Sequence, residues 1–328
     1  MSINMAYKLD KINRTILLEL DKNCRISDNQ LAKKVKRSRE AVRNRILKLQ
    51  KDGIIEGFIT SINPSKFGYM FFKMYFQLAN IPQERKKFYE YFKKLSGLYW
   101  FGGNDGMWDF HTTIYAKNVK EFNKLKNKIY TDFKHLIIKR DIGVLVNVRQ
   151  YPKKYLFENL KEITEPSIFA DDVVDNVLDE LDKKILNILA QNARISLVEL
   201  SKKTKSSVDI IRNRMKKMEE KKIILQYRIA LNHTKLGYDI FKAFVFFNNL
   251  TEQDEKKLYE YAKQNNKILY LIRQLSAWDI EIEIMAKNYG DFIYIMDGIR
   301  LKFASSMRNY EFVLMREDIW VFGEKNIF

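Results

Sequence analysis

The sequence predicts an α+β chain made of two winged helix-turn-helix units, each followed by a ferredoxin-like βαββαβ domain. Three observations predict it. Residues Leu9 to Tyr69 realign without a gap on residues Leu178 to Tyr238. Within each copy, three stretches of helical apolar period precede a strand-like stretch. After each copy the period shortens from 3.6 to about 2, and helical stretches separate the strands.

The repeat is carried by residues at constant offset. Leu9, Asp10, Asn23, Arg25, Ile26, Ser27, Leu31, Ser38, Arg43, Asn44, Arg45, Ile54, Ile55, Gly68 and Tyr69 correspond to Leu178, Asp179, Asn192, Arg194, Ile195, Ser196, Leu200, Ser207, Arg212, Asn213, Arg214, Ile223, Ile224, Gly237 and Tyr238. A repeat this long is a duplicated domain pair and not a solenoid unit.

In the first copy, Leu9, Ile12, Ile16, Leu17 and Leu20 predict an amphipathic helix ending near Asn23. Ser27 with Gln30 has the form of a capping box and opens a second helix; Ser196 with Glu199 repeats the device. A third helix runs from Ser38 to Gln50 with Val42, Ile46 and Leu49 inward, and Gly53 suits a left-handed stop. Ile54 to Ile62 is a strand or wing.

Next come a strand from Tyr69 to Ala79, a helix opened by Pro82, and a strand from Leu98 to Gly102. Asp105-Gly106 predicts a tight turn into a strand from Met107 to Ala116. A helix carrying Phe122, Leu125, Ile129 and Phe133 and a strand from Leu136 to Arg149 complete the unit. The second unit repeats the order: strand 238–247, helix 252–263, strands 267–274 and 278–286, helix 291–303 and strand 308–321. The expected domains are 1–64, 65–152, 177–233 and 234–328. Residues 153–176, with an acidic run at Asp171, Asp172 and Asp175, form the expected linker; its random-coil reach is on the order of 25 Å.

With 328 residues, 46% hydrophobic and 30% charged, the chain can bury real cores and is not a disordered one. A formal charge of +18 favours a polyanionic partner, because cations placed on phosphates release condensed counterions. The opening MSINMAYKLD has no apolar signal region, and no stretch reaches the roughly 20 apolar residues of a membrane span. A soluble, cytoplasmic protein with no membrane partner is expected. The single Cys24 leaves no partner for a disulfide and is expected to be an inert thiol.

The third helices carry the candidate nucleic-acid contacts. With Val42, Ile46 and Leu49 inward, the exposed side holds Arg39, Glu40, Arg43 and Asn44, flanked by Lys36, Arg37 and Ser38. Arg bonds guanine edges bidentately and Asn bonds adenine, so such a helix suits the major groove of double-stranded DNA. Lys33, Lys34 and Lys36 sit where the preceding helix and turn cross phosphates, and Arg45 is open between phosphate contact and an intradomain ion pair. The second copy offers Ser206, Ser207, Asp209, Arg212 and Asn213, with Lys202, Lys203 and Lys205 behind them. Val208 stands for Arg39 and Ser206 for Arg37, so the two readers should prefer different half-sites.

The helix-turn-helix followed by βαββαβ, with Arg25-Ile26-Ser27, the Arg45 to Ile55 stretch and Gly106-Met107-Trp108-Asp109, resembles the Lrp/AsnC family of feast/famine transcriptional regulators, in tandem duplication over nearly the whole chain. The second copy departs with Met215, Met218 and Lys222 for Ile46, Leu49 and Gly53, and with Ser276-Ala277 for Gly106-Met107. The resemblance implies RAM-type ferredoxin-like domains and pairing of the two halves as an internal pseudo-dimer, with further homo-oligomerisation open. It also implies a small amino-acid effector near the loop with Gly103, Asp105, Gly106 and Asp109, and at the poorer match Ser276 and Asp279. The plainer alternative is a hairpin turn with Trp108 and Trp278 as packing residues.

No Walker loop, nucleophile elbow or metal-spaced cluster is found, so no enzyme activity, cofactor or metal is expected. Two alternatives to a sequence-specific regulator remain. One is a sequence-tolerant architectural DNA-binding protein. The other is an enzyme like the siroheme decarboxylases, which resemble the same two-domain architecture; His111 with Arg140 or Arg149 would be its candidate set.

Overall fold

Residues 6–158, 160, 164–316 and 319–320 are described by the computed structural model. α1 (Lys11–Lys22) starts where the Asp10 carboxylate accepts the Asn13 amide at 2.6 Å. α2 (Asp28–Val35) starts with the complete Ser27–Gln30 capping box, and α3 (Arg39–Lys51) is capped by Ser38. Gly53, at φ 67°, ends α3 in the left-handed conformation that a glycine tolerates best. β1 (Ile55–Ile62) follows, then β2 (Met70–Leu78), α4 (Pro82–Lys93), β3 (Leu98–Gly106), β4 (Phe110–Ala116), α5 (Val119–Asp132) and β5 (Ile137–Gln150). After a short connecting strand, β6 (Ser167–Phe169), the second half runs α6 (Glu180–Gln191), α7 (Leu197–Thr204), α8 (Val208–Glu220), β7 (Ile224–Leu231), β8 (Asp239–Phe247), α9 (Glu252–Gln264), β9 (Ile268–Leu275), β10 (Ile280–Ala286), α10 (Tyr289–Lys302), β11 (Met307–Met315) and β12 (Ile319–Trp320). The end of the strand expected at 308–321 lies partly outside the described residues.

Each βαββαβ unit forms a four-stranded antiparallel sheet, and the two sheets join edge to edge at both ends. β5 pairs with β9, and β11 pairs with β3, so the order β11-β8-β10-β9-β5-β2-β4-β3 returns to β11. Closure leaves these strands few free edges, the liability of an open sheet. On the outer face, Phe72, Met74 and Phe76 of β2 pack on Phe88 and Phe92 of α4 and Phe122 of α5. The alternate residues of β2, Phe71 and Tyr75, join the inner core with Trp108, Phe244 and Trp278.

Three local expectations are corrected. Asp105-Gly106 is not a tight turn: both residues end β3, where Gly106 pairs with Val313 and Asp105 with Leu314, and the chain reverses over Met107 to Asp109. The pairing partner comes from the far half of the chain, which no local turn rule can anticipate. Ser196 caps α7 by accepting from the Glu199 amide at 3.1 Å, without the reciprocal Glu199 bond of a full box. The connecting segment is not a free coil over its described length, since Phe169 pairs with Val148 and lies 6.1 Å from the Phe71 ring, with Tyr155, Leu156 and Ala170 buried. Its acidic run is tied back to the first half, with Asp171 3.0 Å from Lys66.

Candidate nucleic-acid interface

The third helix of each copy buries one stripe and presents the other. α3 buries Val42, Ile46 and Leu49, and α8 buries Ile211, Met215 and Met218. Lys33, Lys34, Lys36, Arg37, Ser38, Arg39, Arg43 and Asn44 are all exposed in the first reader. In the second, Lys202, Lys203, Lys205, Ser207, Asp209, Arg212 and Asn213 are exposed, and Ser206 is half-buried. The turns into the two helices pass through Lys36 at φ 52° and Lys205 at φ 56°, left-handed positions held by lysine in both copies. Ser38 and Ser207 hold the helix starts by accepting the Ala41 and Ile210 amides, each at 3.2 Å.

Ion pairs divide the charges further. Arg45 donates to Asp10 at 2.7 Å and Arg214 to Asp179 at 2.6 Å, so these two arginines hold the third helix on the first. Lys34 reaches Glu19 at 2.6 Å. Arg212 is engaged by Asp209 at 2.5 Å, whereas its counterpart Arg43 faces solvent. The second reader therefore has its central arginine partly neutralised by its own helix.

The two readers are fastened to each other. β1 pairs antiparallel with β7, which makes the expected wing a strand shared between copies. The Cys24 amide donates to the Tyr227 carbonyl at 2.8 Å, and the equivalent Ala193 amide donates to the Phe58 carbonyl at 3.0 Å. Arg25 crosses to the carbonyls of Ala193 and Ile195 at 2.6 and 2.9 Å, and Arg194 crosses to Asp28 at 2.9 Å. Each guanidinium also lies over a ring of the opposite β-strand, Arg25 on Tyr227 and Arg194 on Phe58. Sequence reasoning placed these arginines in the repeat but gave them no contact between the copies. Cys24 itself is buried, and burial pushes its thiol up to about 12, in keeping with an inert side chain.

Two buried polar clusters lie behind the readers. In the first, Asp21 of α1 accepts from Arg228 Nε at 3.0 Å and Nη2 at 2.7 Å, and from Lys153 Nζ at 2.8 Å. Burial would raise the Asp21 carboxyl, but the Arg228 and Lys153 charges overcome it and hold it well below the usual range. Nearby, His233 Nδ1 lies 2.7 Å from Tyr155 Oη.

The second cluster sits inside the closed sheet. Glu281 bonds Lys73 and Tyr75 of the opposite half, and accepts from Gln274 at 2.8 Å and Trp278 at 3.2 Å. Lys242 lies 2.9 Å from Glu283 and 3.3 Å from Glu281, and donates to His111 Nε2 at 2.7 Å. On its other side, His111 Nδ1 lies 2.7 Å from Asn104 Nδ2. Burial would raise Glu281, but Lys73 and Lys242 hold it low. His111 does not meet Asp109, and it is not gathered with the two arginines of the enzyme reading: Arg140 lies over Tyr130 and Arg149 over Tyr259.

The buried histidines set a pH dependence. Burial, followed by the Lys242 and Lys73 charges, pushes His111 well below its ordinary value of 6.5, and burial with Lys153 takes His233 to about 3. A histidine depressed in the folded state binds its proton first in the unfolded chain, so stability falls as pH drops below about 6.5. The expected loss between pH 6.5 and about pH 5 is roughly 1.5 kcal/mol from His233, and His111 adds to it with the same sign. Urea unfolding across that range measures it, and a flat profile would contradict the assignment; Glu281 and Asp21 contribute further loss only at lower pH.

Residues 178–219 match an AsnC-type helix-turn-helix domain, and residues 9–56 match a winged helix-turn-helix DNA-binding domain. An HTH-type transcriptional regulator LrpA of Pyrococcus horikoshii is 40% identical over 110 residues, which span 34% of this chain and 74% of that protein. An uncharacterised HTH-type transcriptional regulator of Pyrococcus abyssi is 45% identical over 125 residues, 38% of this chain and 82% of that protein. The chain belongs to the Lrp/AsnC family. At the scale of the whole chain, the crystal structure of the siroheme decarboxylase NirDL has a TM-score of 0.61 at 13% identity, covering 94% of this chain and 92% of that one. At that identity the likeness is one of fold.

In this Lrp/AsnC chain the loop aspartates are engaged by main chain. Asp109 accepts the Leu78 amide at 2.7 Å and pairs with Arg85 at 3.0 Å; Asp279 accepts the Phe247 amide at 2.8 Å. Asp105 is paired with Arg316, and Ser276 Oγ donates to the Trp278 carbonyl at 2.8 Å. A side chain at Gly103 would meet Tyr89 Oη at 2.5 Å, and one at Gly106 would meet the Phe312 carbonyl at 2.9 Å. Trp108 and Trp278 are buried in the inner core, as the plainer packing alternative requires. Among the described residues no helix is long and apolar enough to cross a membrane, and no group of His, Cys, Asp and Glu side chains is arranged to hold a metal ion.

Proposed function

We propose that the chain is a sequence-specific DNA-binding transcriptional regulator in which an intramolecular pseudo-dimer presents two unlike readers to one operator. The observation that carries this reading is the fastening of the readers through β1 and β7, with Arg25 and Arg194 each crossing to the other copy. Two helices held in one body bind half-sites at a set spacing, as symmetric helix-turn-helix dimers do. Here Arg37, Arg39 and Arg43 on one side face Ser206, Val208 and an acid-paired Arg212 on the other, so the half-sites differ and the first reader supplies more affinity.

Sedimentation of the purified protein with a duplex carrying both half-sites tests the pairing. One chain per duplex is expected; two chains per duplex, or best binding to identical inverted half-sites, would contradict it. Of the proposed amino-acid effector site, Asp105 and Gly106 lie at the β3–β11 joint, and Ser276 directly follows Leu275 of the β5–β9 joint. Calorimetric titration with the standard amino acids should show heat for at least one of them, and silence for all would remove the effector from the account.

A further inference from the structure

The strand registers show which inner residues of the two halves are equivalent. Lys73 stands opposite Thr113 and Tyr75 opposite His111 in the first sheet; in the second, Lys242 stands opposite Glu283 and Phe244 opposite Glu281. Both halves thus bring one lysine to the inner face, but only the second brings fully enclosed acid to it, since the acid of the first half, Asp141 opposite Tyr75, is half-buried. The lysine of the first half, fully enclosed, reaches across the joint to Glu281, and Tyr75 reaches to the same carboxylate. In return, the first half offers His111 to Lys242.

We infer that these buried charges form a pairing code: the inner face of the first half accepts only the inner face of a second half, and each half rejects its own kind. The reason is charge balance without water. Unlike halves enclose two lysines and two glutamates. Two first halves would enclose two lysines with only the half-buried Asp141 carboxylates near them, and two second halves would set four carboxylates against two lysines. An unpaired buried charge is strongly destabilising, whereas a paired and hydrogen-bonded set is tolerated. Neutral His111 is suited to its place because it accepts from Lys242 without adding charge. The code selects the order of readers on DNA, since it excludes assemblies in which two copies of the same reader face one operator. It rests on the pairing of the halves within one chain.

Two full-length variants test it. His111→Glu with Thr113→Glu gives acids to both halves, and Glu281→His with Glu283→Thr removes them from both. Refolded alone, each should melt about 5 °C or more below the parent, the shift expected from breaking a buried pair in a chain of this size. Refolded together, they should form a 1:1 particle of twice the 39.2 kDa chain mass, because exchange of halves restores balance at both junctions. Monomers as stable as the parent would overturn the code. Should neither variant fold in either arrangement, the single chain carrying all four substitutions with Tyr75→Phe and Phe244→Tyr decides. Recovery to within a few degrees of the parent supports the code, and no gain over the one-sided variants overturns it. The parent, run alongside, separates the two failures: a parent already of twice the chain mass would sink the pairing in cis itself.

Discussion

Replacing Asp21 with Ala is expected to lower the unfolding free energy by about 3–5 kcal/mol, the cost of leaving buried cations without their counter-charge. Asp21 is fully enclosed on α1 and is the shared acceptor of Arg228 from β7 and Lys153 from the connecting segment. Its loss would remove the carboxylate that both cations share, and Arg228 already has a buried nitrogen, Nη1, without a hydrogen-bond partner. The equivalent positions in the other half are Ala190 and, for Arg228, Ile59, so the cluster occurs once and joins unlike surfaces. Urea unfolding of Asp21→Ala measures the loss. The triple variant Asp21→Leu, Lys153→Met, Arg228→Met should regain most of it, since apolar replacement of a whole buried ionic set is often neutral or better. A loss below about 1 kcal/mol for Asp21→Ala would mean that water reaches the cluster.

Arg43→Ala should weaken binding to the selected operator by roughly 1–3 kcal/mol, about 5- to 150-fold, and relax the preference at one base position if it holds a bidentate contact. The equivalent Arg212→Ala should cost less, because Arg212 is engaged by Asp209 at 2.5 Å in the free protein while Arg43 faces solvent. Lys36→Ala, by contrast, should weaken binding evenly across sequences and lower the salt slope by about one. Competition binding with operator and random duplexes separates these outcomes; equal losses for the two arginines would contradict the asymmetry.

The helices and most strands were legible because they rest on short-range signals: the apolar period of α1, the caps at Ser27 and Ser38, and the glycine stop at Gly53. What was not legible depends on what a face meets. Alternation along β2 tells that Lys73 and Tyr75 lie opposite Phe72 and Met74, but an alternating lysine reads as solvent-facing until a second sheet is known to cover it. The exchange of β1 and β7, the extension of β3 through Asp105 and Gly106, and the crossing of Arg25 share that cause, since each partner lies more than a hundred residues away. Arg45, open between two roles in sequence, is settled by Asp10, its neighbour only after α1 and α3 pack.

The most direct test of the account is selection of bound fragments from sheared host DNA by the purified protein across a salt series. Phosphate contacts weaken steeply with salt, while base contacts set the ratio between sequences. The account predicts two unlike half-sites, one helical turn or a multiple apart, still enriched at high salt. Uniform recovery that vanishes with salt would instead describe a coating protein, and no recovery at any salt, with tetrapyrrole absorbance copurifying, would contradict the regulator altogether.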